Sequence, residues 1–196
     1  MAPKETGQAL VEHLDEDEQR DVAASRRGDE AAYARLMRRY QATVAAQMGH
    51  FTRDRQELEA LVQEVFVEAY FSLASYRGEA PFLHWLRRIA SRTGYRHWRH
   101  KARDRKRRER LAQMTEQLTP PPECSEPSEA AEYLFRLLEQ LPAKERLVLT
   151  LLYFEECGTA EIAARMGWSR SLVKVRAFRA RQRLRNQMEA AGYGKA

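Results

Sequence analysis

Two cysteines and nine glycines in 196 residues leave several kinds of protein without their usual material. Cys124 and Cys157 form no CxxC pair and are too few for a disulfide framework, which fits a reducing compartment. No apolar run approaches the roughly 20 residues that a membrane-crossing helix needs. The opening stretch MAPKETGQALVEHLDEDEQR lacks the apolar core of a signal peptide, so a cytoplasmic location is expected. The patterns GxxxxGK[ST], GxSxG and HExxH are missing, and with them the usual footing for an enzyme. His97 and His100 share a helical spacing but sit among arginines that repel a cation, so neither a metal nor a cofactor is expected. Runs of β-branched residues are scarce, whereas Ala, Arg, Glu, Leu and Gln are abundant, which favours helix.

What is present is a core-forming share of apolar residues, 43%, and an uneven charge. From Arg87 to Arg110 there are 12 basic residues against Asp104 and Glu109. From Arg170 to Arg185 there are 7 basic residues and no acid. Together these stretches carry +17 in a chain of net +6, so the remainder is net −11. A chain that needed only solubility would mix its signs; two concentrated basic stretches suggest two polyanion contacts.

The patterning predicts an all-α protein of two small helical domains, residues 15–111 and 131–190, behind a loose tail of residues 1–14. Gly28 is placed to close one helix and Asp29 to cap the next. That next helix aligns Tyr33, Leu36, Met37, Tyr40, Val44 and Met48 on one face. A further helix aligns Leu58, Leu61, Val62, Val65, Phe66, Ala69, Tyr70 and Leu73, with an acidic opposite face of Glu57, Glu59, Gln63, Glu64 and Glu68. After SYRGEAP, the segment Phe82–Arg110 begins aromatic and apolar and ends almost purely basic. Phe82 and Trp85 fall in apolar phase and read as core. Residues 112–130 hold four prolines, including PPP, and several acids; they cannot build a core and read as a flexible linker.

The C-terminal unit carries a helix-turn-helix. A short helix turns Ile162, Ala163 and Met166 inward, Gly167 supplies the sharp turn, and Ser169 caps the second helix. Val173, Ala177, Ala180 and Leu184 form the buried stripe of that second helix. Its remaining faces are basic. Arg170, Ser171 and Lys174 lie in the first turns, where a recognition helix reads base edges; Arg176, Arg179 and Arg183 line one edge, with Arg179 and Arg183 the phosphate candidates. Upstream, Pro142 interrupts a Leu-rich stretch whose Leu147, Val148, Leu151 and Leu152 belong beneath this pair.

Taken in order, GDEAAY, LEALVQEVFVEAYFSL, YRGEAPFLHWLRRIA, the basic run, LPAKERLVL and the helix-turn-helix resemble a bacterial sigma factor. The subgroup resembled is the extracytoplasmic-function type, and the likeness runs from about Asp21 to Met188. The resemblance implies that the acidic helix meets the clamp of core RNA polymerase through Glu57, Glu59, Leu61, Gln63 and Glu64. It implies that the loop Tyr76–Phe82, including Arg77, captures an unstacked base of the −10 promoter element. Arg87, Arg88, Arg92, Arg96 and Arg99 would hold that element, with Tyr95 and Trp98 available for stacking. The C-terminal helix-turn-helix would read the −35 element. It further implies an anti-sigma partner, a monomeric free state and no small-molecule substrate. Four positions depart from the family pattern: Ala60 and Arg96 stand where Asp is usual, and Trp168 and Val175 where smaller or polar residues are. The competing reading is an autonomous regulator that binds duplex operators unaided.

Overall fold

The computed structural model describes residues 16–112 and 129–190, so the N-terminal tail and most of the expected linker lie outside the described residues. Eight α-helices and one 3₁₀ turn make up this part, and no strand occurs in it. They are α1 (Glu16–Arg26), α2 (Glu30–Met48), α3 (Arg55–Ser72), α4 (Phe82–Ala112), α5 (Glu129–Glu139), α6 (Ala143–Tyr153), α7 (Thr159–Met166) and α8 (Arg170–Ala190), with the 3₁₀ turn Leu73–Ser75 after α3.

Local chemistry places the helix boundaries. Gly28 takes φ +92°, and the Asp29 carboxylate accepts the amide of Ala32 at 3.0 Å, capping α2. Asp54 does the same for α3 through the Glu57 amide, at 2.9 Å. Gly167 lies in the left-handed region at φ +68°, and its amide bonds the Ala163 carbonyl to end α7. Ser169 Oγ then accepts the Leu172 amide at 3.2 Å, starting α8. The expected turn of the helix-turn-helix is therefore present with the expected residues.

Helices α1 to α4 pack around Leu36, Val44, Met48, Phe51, Val65, Phe66, Phe82 and Leu86. Along α2, Met37 is exposed rather than buried, and in α3 Tyr70 is likewise partly open, so each apolar stripe is narrower than its periodicity suggests. Phe82 is core, and Trp85 leans on Tyr76 and Phe82 with ring centroids about 5.4 Å away. In the C-terminal unit, Leu147, Val148 and Leu151 lie under Ile162, Ala163, Val173 and Ala177.

The two units are not held apart. Helix α4 packs against α6 and α7, and one continuous apolar cluster runs through both units. Polar contacts reinforce the seam. Arg165 donates to Glu155 at 2.9 Å and Glu161 at 2.6 Å, and reaches Ser91 at 3.5 Å, while Arg92 donates to the Arg165 carbonyl at 3.1 Å. The Arg146 guanidinium lies 4.0 Å over the Trp98 ring and 4.9 Å from that of Phe135, a cation–π sandwich closing the same seam. The two expected helical units are both present, and in this structure they also pack against each other.

Cys157 is buried in this core, and burial pushes its thiol up to about 12. Alkylation of the native protein at pH 8 should leave Cys157 unmodified while it reacts freely after denaturation; peptide mass spectrometry reads the difference. Labelling of the native site would overturn this placement.

Candidate nucleic-acid interface

Helix α8 turns its buried stripe (Val173, Ala177 and Ala180) onto α6 and α7. At 100° per residue, the opposite side carries Ser171, Val175, Phe178 and Gln182. All four are exposed. Arg170, Lys174 and Arg179 flank them, also exposed, so the residues expected to read base edges share one solvent-facing surface. The Ser171 hydroxyl lies 3.0 Å from that of Ser169 at the helix start. Two of the expected edge residues are engaged within the protein. Arg176 lies 4.5 Å over the Trp168 ring, and Arg183 pairs with Glu145 at 3.1 Å. Val175 and Phe178 bring apolar surface to the centre of a basic face. Phe178 escaped the sequence reading, although its helical phase with Ser171 and Val175 was there to find it.

Helix α4 carries the second basic surface, and its residues divide. Arg88 and Arg99 are exposed, as are Arg103, Arg105, Lys106, Arg107, Arg108 and Arg110 farther along. Arg87 is half-buried, its carbonyl accepting Gln47 Nε2. Arg92 is half-buried against the C-terminal unit, and Tyr95 meets Trp168 edge to face, with centroids 6.2 Å apart. Trp98 is interior: its ring packs 4.5 Å from Phe51, its indole N–H donates to the Phe51 carbonyl at 2.7 Å, and the Arg146 guanidinium lies 4.0 Å over the ring. It serves the core rather than base stacking, because its ring is buried and its donor is occupied.

Arg96 is turned toward α3, where it donates to Glu64 at 2.8 Å and Glu68 at 2.6 Å. It thus joins the DNA-candidate helix to the polymerase-candidate helix instead of facing solvent freely. In the loop, Arg77 is exposed, near Glu79 at 3.9 Å. Tyr76 is only 6% exposed, with its hydroxyl donating to the Ala80 carbonyl at 2.7 Å. It braces the loop from below, so its assignment to base capture is corrected.

On α3, Glu59, Gln63 and Glu64 are exposed, as expected for a docking face, and Ala60 lies among them. Leu61 is 3% exposed and belongs to the core, which removes it from that face. Glu57 is half-buried; burial opposes its charge, but hydrogen bonds from Lys101 (2.7 Å) and Thr52 (2.6 Å) hold its carboxyl below the usual range. His97 faces the same carboxylate at 3.5 Å, and burial keeps its imidazole below the ordinary value. Exposed Val67, Tyr70 and Phe71 continue the α3 surface beyond the acids, an apolar extension hidden from the sequence because Tyr70 fell in core phase. No group of residues suited to a metal occurs among the described residues, and none of their helices is long and apolar enough to cross a membrane.

Comparison with known proteins places the chain in a family. Residues 36–104 match the family model Sigma-70 region 2, and residues 131–184 match Sigma-70, region 4. The chain is 31% identical over 199 residues to the ECF RNA polymerase sigma-E factor of Haemophilus influenzae, spanning 96% of this chain and 98% of the relative. The chain belongs to the ECF sigma factors of the sigma-70 family. The RNA polymerase sigma-H factor of Pseudomonas aeruginosa is 30% identical over 176 residues, covering 85% of this sigma factor and 91% of that one. The same fold occurs in CnrH, solved with the cytosolic domain of CnrY (TM-score 0.58, 24% identity, 89% of this chain and 98% of that one). It occurs again in the sigma factor RpoE of Bartonella quintana, solved with the anti-sigma factor NepR (TM-score 0.56, 18% identity, 80% and 96%). The region 2 match covers most of α2, all of α3 and most of α4, whereas the region 4 match covers α5 to most of α8.

Proposed function

We propose that this sigma factor binds core RNA polymerase and directs it to promoters, with α8 reading the −35 element as duplex and α4 holding the −10 element as it opens. The protein catalyses nothing itself and works in the cytoplasm. The observation that carries this reading is the pairing of region 2 and region 4 on one chain, each presenting an exposed basic helix. Arg170, Ser171 and Lys174 supply the base-directed groups on α8, and Arg179 suits the phosphates. Of the five α4 arginines assigned to the −10 element, Arg88 and Arg99 are the exposed ones, and Arg77 stands on the loop before the helix. Arg92 contributes once the C-terminal unit moves away from α4, because it is bonded to Arg165 in the packed form, and half-buried Arg87 lies on the same helix.

The polymerase-facing surface is assigned to Glu59, Gln63 and Glu64, with Glu57 behind them. Their negative charge suits a basic partner and favours its encounter. An anti-sigma partner that stabilises the packed arrangement would keep the factor idle, in keeping with the two related folds solved beside such partners or partner domains.

In vitro transcription with purified core polymerase tests the function directly. Specific start sites should appear only when the protein is added. A protein that footprints duplex DNA alone and yields no start sites would be an autonomous regulator instead. Within the holoenzyme, Arg170→Ala or Lys174→Ala should lower discrimination for the −35 sequence by about tenfold, as expected for one base-directed contact. An equal loss on all sequences would reassign the residue to phosphate.

The Arg96 pair allows fold and docking to be separated. Glu64→Arg should weaken core polymerase binding roughly tenfold or more through like-charge contact. Adding Arg96→Gln removes the repulsion between α3 and α4 and places no second carboxylate against Glu68, so thermal stability should recover in part, by about 0.2–1 kcal/mol. Polymerase affinity should stay low in that double variant, as measured by competition for core enzyme. Recovery of affinity with stability would show that Glu64 acts only through the packing of α3 on α4.

A further inference from the structure

The outward face of α8 has apolar side chains where a purely phosphate-binding helix would have none. Val175 is 45% exposed and Phe178 is 66% exposed, one helical turn apart and directly opposite the buried stripe. Neither belongs to the apolar clusters formed by the described residues. Basic residues border them on both sides, with Lys174 and Arg185 along one edge and Arg179 along the other, all exposed. An apolar strip framed by cations fits a polyanion whose interior offers methyl groups. Duplex DNA presents that combination in the major groove, where the 5-methyl group of thymine projects between two rows of phosphates.

We propose that Val175, backed by Phe178, is a specificity-determining residue that reads a thymine methyl in the upstream promoter element. The inference rests on the reading that α8 lies in the major groove. Val175 has the right chemistry: its two methyl groups offer no hydrogen bond, so the side chain gains only where it meets apolar surface. Cytosine at the same place carries an exocyclic amine but lacks the methyl group, and would leave that donor against a hydrocarbon surface. Phe178, one turn farther on, covers the outer side of the strip and keeps water from the contact. Ser171, on the same side and one turn earlier, adds a hydroxyl at the adjacent base step. Val175 therefore sets which base is accepted, while Arg170 and Lys174 supply polar recognition beside it.

The test uses the full chain with core polymerase and a promoter found by the transcription assay. Each thymine of the −35 element, on both strands, is replaced singly by deoxyuridine, which removes the methyl and nothing else. The expected result is one position, or two adjacent ones, at which promoter binding falls about fourfold, the worth of one buried methyl group. In the Val175→Ala holoenzyme that same position should become indifferent to the exchange, while other positions keep their wild-type behaviour. The proposal is overturned by an upstream element without thymine opposite α8, by indifference at every position, or by a methyl effect that survives unchanged in Val175→Ala. It is also overturned if Val175→Ala and Phe178→Ala weaken core polymerase binding and leave the promoter preference intact, which would make the strip a protein-docking surface. Arg170→Ala and Lys174→Ala are assayed alongside. If they alter −35 preference while methyl removal does nothing, α8 reads the groove without Val175. If all of them are without effect on preference, the placement of α8 in the groove fails as well.

Discussion

Arg165→Ala should lower the thermal midpoint of the protein by about 6–20 °C, the consequence of stranding a buried carboxylate. The Arg165 side chain and that of Glu155 are each 8% exposed and lie 2.9 Å apart. Arg165 also bonds Glu161 at 2.6 Å, and His50, 4.0 Å from Glu155, is too distant to replace it. Removing one member of such a buried pair costs about 3–5 kcal/mol, because the partner keeps its desolvation and loses its compensation. For a chain of this size, each kcal/mol corresponds to about 2–4 °C. The lost side chain also breaks the contact with Ser91, so the seam between the two units loosens along with the C-terminal core. Differential scanning calorimetry reads the first effect, and proteolysis of the seam the second. The double replacement Arg165→Met with Glu155→Met should recover much of the loss, since it removes both charges together. An unchanged midpoint in Arg165→Ala would mean that Glu155 is solvated and the seam is held by apolar packing alone.

Gly94→Ala should destabilise the N-terminal unit by about 2 kcal/mol, against the usual preference of helices for alanine. Gly94 lies inside α4, where alanine ordinarily gains about 1 kcal/mol over glycine. Here, however, a Cβ would stand 2.3 Å from Phe51 Cδ1 and 2.4 Å from Cε1, far inside any real contact. The Phe51 ring has little room to retreat. It is 2% exposed, stacks on Trp98, and its carbonyl holds the Trp98 indole. Overpacking of a core commonly costs about 1–3 kcal/mol and can exceed that where the neighbour is pinned, so it outweighs the helix gain. Urea unfolding measures the loss, and Gly94→Val should lose more than Gly94→Ala. Phe51→Leu in the Gly94→Ala background should restore part of it by clearing the space. A Gly94→Ala protein as stable as the parent would show that the ring shifts freely, and that α4 and Phe51 are less tightly joined than their geometry indicates.

Both predictions concern contacts between residues far apart in the chain, and these are what the sequence concealed. Arg165 and Ser91 are separated by 74 positions, and Trp98 and Phe51 by 47. Nothing in a helical repeat says which two faces meet, so Trp98 and Tyr76 read as candidates for DNA although both are occupied within the protein. The basic run of α4 misled for a related reason. Composition reports charge but not direction, and Arg92 and Arg96 are drawn inward by Arg165 and by Glu64 and Glu68. Leu61 was misplaced because a motif spanning one helix includes residues on all its faces; only burial separates the outward Gln63 and Glu64 from the inward leucine.

Whatever depends on neighbours close in sequence was legible. Gly28 and Asp29, and Gly167 and Ser169, each act within four residues, through a backbone angle or a cap, so the helix order and the helix-turn-helix followed from the residues themselves. The ordered motifs likewise carried the family. Tertiary structure alone decided that α6 and α7 close over α4, that Arg92 and Tyr95 are covered while the outer face of α8 stays open, and that Arg96 serves α3. The physical reason is range: caps and helical periods are local free energies written in consecutive residues. The docking of one helix face on another is selected by the shape and charge of surfaces that do not exist until the chain has folded.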